Sequence, residues 1–68
     1  MTIALYLDDQ PLQLPAGTTL ATLLERQQLA PDSVATALNG LFVPREARAS
    51  TVLGHGDQVL LFKPIVGG

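Results

Sequence analysis

An α+β fold, with one main helix packed on one face of a mixed sheet of four to five strands, is predicted by three observations. The chain has 68 residues, enough for one small domain and no second. Apolar residues alternate with period two near both ends, in Ile3-Ala4-Leu5-Tyr6-Leu7 and in Gln58-Val59-Leu60-Leu61-Phe62-Lys63. Between them Leu20, Leu23 and Leu24 repeat at the i, i+3, i+4 spacing of a helix face. The expected organisation is a single domain over residues 1–68, with 64–68 as a flexible C-terminal tail.

The elements follow in order. Ile3 to Leu7 reads as a half-buried strand with Ile3, Leu5 and Leu7 inward. Asp8-Asp9-Gln10 is turn chemistry, and Leu12-Gln13-Leu14 resumes the alternation, so the two runs form a hairpin. Pro11 and Pro15 keep its second strand short or at an edge, because proline cannot donate to a ladder. Ala16-Gly17 breaks the run, and Thr18 or Thr19 caps the helix, which should extend to Gln28 before Pro31. Val34 to Leu38 is a third strand. Asn39-Gly40 tolerates the two positive φ angles of a type I′ turn and marks a second hairpin, with Leu41-Phe42-Val43 returning until Pro44. Arg45 to Leu53 is irregular, with one helical turn near Glu46 to Ser50. Gly54-His55-Gly56-Asp57 is a tight turn, and Gln58 to Lys63 is the last strand.

Two hairpins and one helix must share one core, which a mixed sheet with the helix across one face achieves. A right-handed crossover then lays the last strand parallel to the first, in the centre. That arrangement is the β-grasp, or ubiquitin-like, fold.

Composition removes several functions. There is no cysteine, hence no disulfide and no thiolate metal site, and the single His55 cannot hold a zinc ion alone. Six acidic and four basic residues give a net charge of −2 and a pI near 4.9, with no basic patch for nucleic acid. No apolar stretch approaches the ~20 residues of a membrane span, and the start has no secretory signal. A cytoplasmic protein, monomeric when free and with no bound metal or cofactor, is expected.

Few residues carry candidate chemistry. His55 lies between two glycines with no nucleophile nearby, so it reads as a turn residue, and Asp57 as a side chain bonding the turn backbone. Asp8 and Asp9 read as a solvated turn with side chains pointing apart, unlike an acid–base pair. Asp32-Ser33 has the look of a phosphopantetheine attachment serine, but strands dominate where carrier proteins of that kind are helical. Arg45 and Arg48 either meet an acidic partner or bond loop carbonyls. The last strand differs: alternation sends Val59 and Leu61 inward and leaves Leu60 and Phe62 outward, next to Pro64. Two large apolar side chains on one outer face predict a docking patch.

That strand runs into Ile65-Val66-Gly67-Gly68. The tail predicts that the Gly68 carboxylate is the reactive group. A carboxylate is a poor electrophile until activated, typically as an acyl-adenylate on another protein. To reach a buried nucleotide, Gly67, Val66 and Ile65 must thread a narrow channel, where a residue without Cβ passes most easily.

Ala37-Leu38-Asn39-Gly40, Phe42-Val43-Pro44-Arg45-Glu46, Gly56-Asp57 before a strand and the final Gly67-Gly68 together resemble the ThiS family of thiamine-biosynthesis sulfur carriers. Leu14-Pro15-Ala16-Gly17-Thr18 extends the similarity to nearly the whole chain, with His55 standing where members often have Asp. The resemblance implies a carrier, not an enzyme. An adenylating enzyme of the ubiquitin-activating type would use ATP to activate Gly68, a persulfide donor would displace AMP to leave a thiocarboxylate, and thiazole synthase would take the sulfur for the thiazole of thiamine. Two rivals share the fold and tail: the small subunit of molybdopterin synthase and a ubiquitin-like protein modifier.

Overall fold

Two-residue turns set the frame of the sheet. In the computed structural model, which describes residues 1–63, Asp8 and Asp9 take φ of 50° and 67° and fold strand β1 (Thr2–Leu7) onto β2 (Gln10–Pro15). Asn39 and Gly40, at φ 53° and 83°, do the same for β3 (Ala35–Leu38) and β4 (Leu41–Val43). Positive φ at both positions matches the turn's twist to that of the strands. The last strand, β5 (Gln58–Phe62), runs parallel to β1 and antiparallel to β3, giving the order β2-β1-β5-β3-β4. The central parallel placement of β5 is the one the sequence predicts.

Register explains the prolines. Leu7 pairs with Gln10 across the turn and Tyr6 with Pro11. Hydrogen-bonded and non-bonded pairs alternate in an antiparallel ladder, so both Pro11 and Pro15 fall where the missing N–H would point to solvent. They blunt one edge of the sheet. The other edge, β4, is only three residues long.

Helix α1 (Leu20–Arg26) begins at Thr19, whose Oγ1 accepts from the Thr22 N–H at 3.2 Å. Thr18 does not cap; its hydroxyl donates to the Pro15 carbonyl at 2.7 Å. The helix buries Leu20, Leu23 and Leu24, and the first two form one core cluster with Leu5, Leu14, Val43, Leu53 and Val59. Each such side chain contributes roughly 1.5–3 kcal/mol by leaving water. The helix stops two residues short of Gln28. Gln28 enters the left-handed region at φ 59°, its N–H donates to Glu25 O and the Leu29 N–H to Leu24 O, both at 3.0 Å. This is a Schellman closure with glutamine in the usual glycine place.

Residues Arg45–Ser50 form a 3₁₀ helix, the helical turn anticipated there. It carries Arg48, which is 4% exposed. Its guanidinium donates to Pro31 O at 2.9 Å, to Val34 O at 2.7 Å and through Nε to Thr36 Oγ1 at 3.2 Å. Thr36 in turn donates to Val43 O at 3.0 Å. Arg48 thus satisfies loop carbonyls, one of its two readings. Arg45 pairs with Asp32 on the surface, a contact worth up to about 1 kcal/mol when exposed.

Candidate functional site

Strand pairing gathers the outer face of the sheet into one apolar surface. Ala37 lies opposite Leu60 on one side and Phe42 on the other, and Ala35 lies opposite Phe62. Facing residues in neighbouring strands stand about 4.5–5.5 Å apart at Cβ, so Phe42, Ala37 and Leu60 form a row with a shallow trough over the alanine. Phe42 is 65% exposed, and Tyr6, Leu60 and Phe62 are each close to half exposed. Tyr6 joins from β1, opposite Gln58.

Alternation places Thr2, Ala4 and Tyr6 of β1 on this face with Gln58, Leu60 and Phe62 of β5, Ala35 and Ala37 of β3, and Phe42 of β4. None carries a charge. A contiguous uncharged face of this kind has the composition found at the centres of protein interfaces, where charged residues are depleted. Leu60 and Phe62 are therefore where the sequence puts them, outward on β5, with Val59 fully buried beneath. Sequence reading missed Phe42 and Tyr6, because their membership depends on which strands become neighbours. The signal was present in Phe42, an aromatic one residue from an exposed turn. The remaining site residues, Pro64, Ile65, Val66, Gly67 and Gly68, lie outside the described residues.

The turn before β5 holds no catalytic arrangement. His55 is exposed, and its Nδ1 accepts the Ala4 N–H at 3.1 Å. Asp57 bonds the turn backbone, accepting from Gly54 N–H at 2.7 Å through Oδ2, and its Oδ1 accepts from Asn39 Nδ2 at 3.0 Å. Ser33, exposed, donates to Ala30 O at 2.7 Å. Asp8 is more than a solvated turn residue: its Oδ1 accepts the Leu61 N–H at 3.0 Å and its own N–H donates to Val59 O at 2.9 Å. It prolongs the β1–β5 ladder after β1 has turned away. Among the described residues no group of three or more His, Asp or Glu could hold a metal ion, and no helix is long and apolar enough to cross a membrane.

Comparison with known proteins points one way. A family model described as the ThiS family matches residues 2–68. The sulfur carrier protein ThiS of Escherichia coli strain K12 is 43% identical over 61 residues, covering 90% of this chain and 92% of that protein. The crystal structure of the thiamine biosynthesis protein ThiS from Geobacter metallireducens superposes with a TM-score of 0.85 at 26% identity, covering 97% of this chain and 100% of that one. A solution NMR structure of a thiamine biosynthesis protein from the same organism gives 0.75, also at 26% identity, over 97% of this chain and 88% of its own. The mixed five-stranded sheet with one main helix is the β-grasp fold, and neither rival reading is favoured by these matches.

Proposed function

This chain belongs to the ThiS family, and from that premise we propose that it is a cytoplasmic sulfur carrier for building the thiazole of thiamine. The Gly68 carboxylate carries the sulfur. One of its oxygens attacks the α-phosphorus of ATP on an adenylating partner, releasing pyrophosphate and forming an acyl-adenylate. A persulfide sulfur then attacks the carbonyl carbon and AMP leaves. Cleavage of the S–S bond by a thiol leaves the thiocarboxylate, whose sulfur passes to thiazole synthase. The carrier supplies no catalytic side chain. Its task is to present a carboxyl group on an arm, and Gly67, Val66 and Ile65 are the residues that enter the partner's channel.

The observation that carries this reading is the uncharged outer face on β5 and its neighbours, with exposed Leu60 and Phe62 leading directly into residues 64–68. Such a face gives the partner a fixed grip next to the root of the arm, with Pro64 at the junction. Removing Gly68 should abolish ATP–pyrophosphate exchange with the adenylating enzyme while thermal stability stays unchanged. The intact protein from its native cell, kept under reducing conditions, should show the mass gain of one oxygen-for-sulfur exchange. Normal exchange by the Gly68-deleted chain would remove the carboxylate from the mechanism. Lysine-linked conjugates would turn the reading to a protein modifier.

A further inference from the structure

The inner side of the sheet is not covered to its end. Helix α1 stops at Arg26 and the chain turns back at Gln28, so the helix does not shield the last part of β5. There Leu7 and Leu12 of the first hairpin, Leu29 and Val34 of the loop after the helix, and Leu61 of β5 line an open groove of about 500 Å³. All five are half-buried apolar side chains. That volume lies in the range of true binding clefts, roughly 300–1,000 Å³.

The backbone beside this groove is unfinished. The N–H and C=O of a strand residue point to the same side. Because the Leu61 N–H donates toward Asp8, the Leu61 carbonyl faces the same side, where β1 has already turned away at Asp8-Asp9. The β1–β5 ladder ends at the Leu7–Val59 pair, so β1 no longer lies beside the Leu61 carbonyl, and among the described residues no turn or loop backbone N–H donates to it. An open backbone acceptor beside an apolar cleft is the recognition chemistry of an added strand, in which main-chain bonds give affinity and alternate side chains fill pockets.

We propose that this groove receives an extended segment of the adenylating enzyme, from the rim of the channel that takes the carrier's arm. A backbone N–H of that segment pairs with the Leu61 carbonyl, and an apolar side chain enters between Leu12, Leu29 and Val34. The inference rests on the carrier reading above, and the length of the arm selects the occupant. Gly68 lies five residues beyond Lys63, a reach of at most about 18 Å. A carboxylate on so short an arm meets a buried nucleotide only if the channel rim presses against the end of β5. The groove opens at that end, whereas the outer face meets the enzyme on the opposite side of the same strand. The partner therefore clasps β5 from both faces.

Methyl NMR of the intact chain, titrated with the purified adenylating enzyme, tests this without any substitution. The methyl groups of Leu7, Leu12, Leu29 and Val34 should shift and show contacts to the enzyme. Two variants read the same site through affinity: Val34→Phe fills the groove and Leu29→Glu charges it. Each should raise Kd about tenfold, the loss that goes with one well-filled apolar anchor. If the unmodified chain is adenylated but these methyl groups stay silent and both variants bind normally, the inference is overturned. It is equally overturned if the groove methyls contact Ile65 or Val66, or a second copy of the chain, with the enzyme bound. Failure of the unmodified chain to support pyrophosphate exchange would instead sink the carrier reading, and the inference with it.

Discussion

Strand β5 enters the sheet through a mesh of side-chain bonds and leaves it through one. At its start, Asn39 accepts the Gln58 N–H at 2.9 Å and donates to Asp57, and Asp57 closes the turn by accepting from Gly54. The Gly56 N–H donates to Ala4 O at 2.8 Å, the Tyr6 N–H to Asp57 O at 3.0 Å, and His55 takes the Ala4 N–H. At its other end β5 stays paired with β3 as far as Phe62. On the β1 side Asp8 continues the ladder through its N–H to Val59 O and its carboxylate to the Leu61 N–H, beside the groove. The difference teaches where stability and function reside along a single strand. One end is tied to β1 and to the β3–β4 turn and holds the strand in place. The other keeps its pairing with β3 but, among the described residues, has no strand beside it on the β1 side. It leaves half-buried apolar side chains open to the groove, which is where the proposed partner would reach it.

The open end is nevertheless built on firm ground, and its anchor carries the largest expected effect. Arg48 holds the loop bearing Val34 through bonds to Pro31 O and Val34 O. Arg48→Met keeps the apolar stem but strands those carbonyls and the Thr36 hydroxyl. It should cost about 3 kcal/mol, read as a lower urea midpoint. Arg48→Lys should rescue little, since a point charge cannot reproduce the planar fork. Loss of stability below ~1 kcal/mol would mean that the loop is held by its packing alone.

At the closed end, Asp57→Ala removes acceptors from Gly54 and Asn39 together. The expected cost is about 2 kcal/mol, as befits bonds to a charged group that are partly exposed. Adenylation at a temperature where the variant stays folded should be unchanged, because this end of β5 is the one remote from residue 63 in the strand. A variant that folds yet fails to be adenylated would break the contrast between the two ends.

The outer face is next. Leu60→Ala and Phe62→Ala each remove a side chain already about half in water, so stability should move little. Binding to the adenylating enzyme should weaken by about 1–2 kcal/mol for each, as for apolar anchors at an interface. Phe42→Ala should behave alike, although it lies on β4, two strands away from β5. Equal loss at Phe42 would establish that docking reads the whole row across Ala37. No loss at Phe42 would confine it to β5.

These regions were not equally legible in the sequence. Both hairpins, the helix face and the outward pair Leu60 and Phe62 follow from local periodicity and turn chemistry, which act over a few residues. What escaped was long-range. The Asp8 bond to Leu61 and the His55 bond to Ala4 span more than fifty residues, and no local pattern marks an aspartate or histidine as a stand-in for a missing strand residue. Burial of Arg48 depends on three acceptors converging from the loop before β3 (Pro31 O, Val34 O) and from β3 itself (Thr36 Oγ1). Its sequence neighbours show only a short charged stretch. The groove was invisible for a related reason: it exists because α1 ends early, and Gln28 is not a residue that announces a left-handed turn.

That residue supplies the smallest predicted effect. Gln28 sits at φ 59° and closes the helix without the freedom of glycine. A side chain in the left-handed region costs roughly 1–2 kcal/mol, whereas glycine gives back about 0.4–1 kcal/mol through a more disordered unfolded chain. Gln28→Gly should therefore stabilise the domain by about 0.5–1 kcal/mol, seen as a higher urea midpoint at constant slope. Its side chain is not among those lining the groove, so affinity for the adenylating enzyme should not change. The two readouts separate what the turn does. If stability rises and affinity holds, the closure serves the fold and only its position matters to the groove. If stability rises while affinity falls, then Leu29, which follows directly and bonds back to Leu24, is held by Gln28 in a pose the partner needs. The strain at Gln28 would then belong to the open end as part of its recognition, in the way that strained backbone elsewhere persists at binding sites.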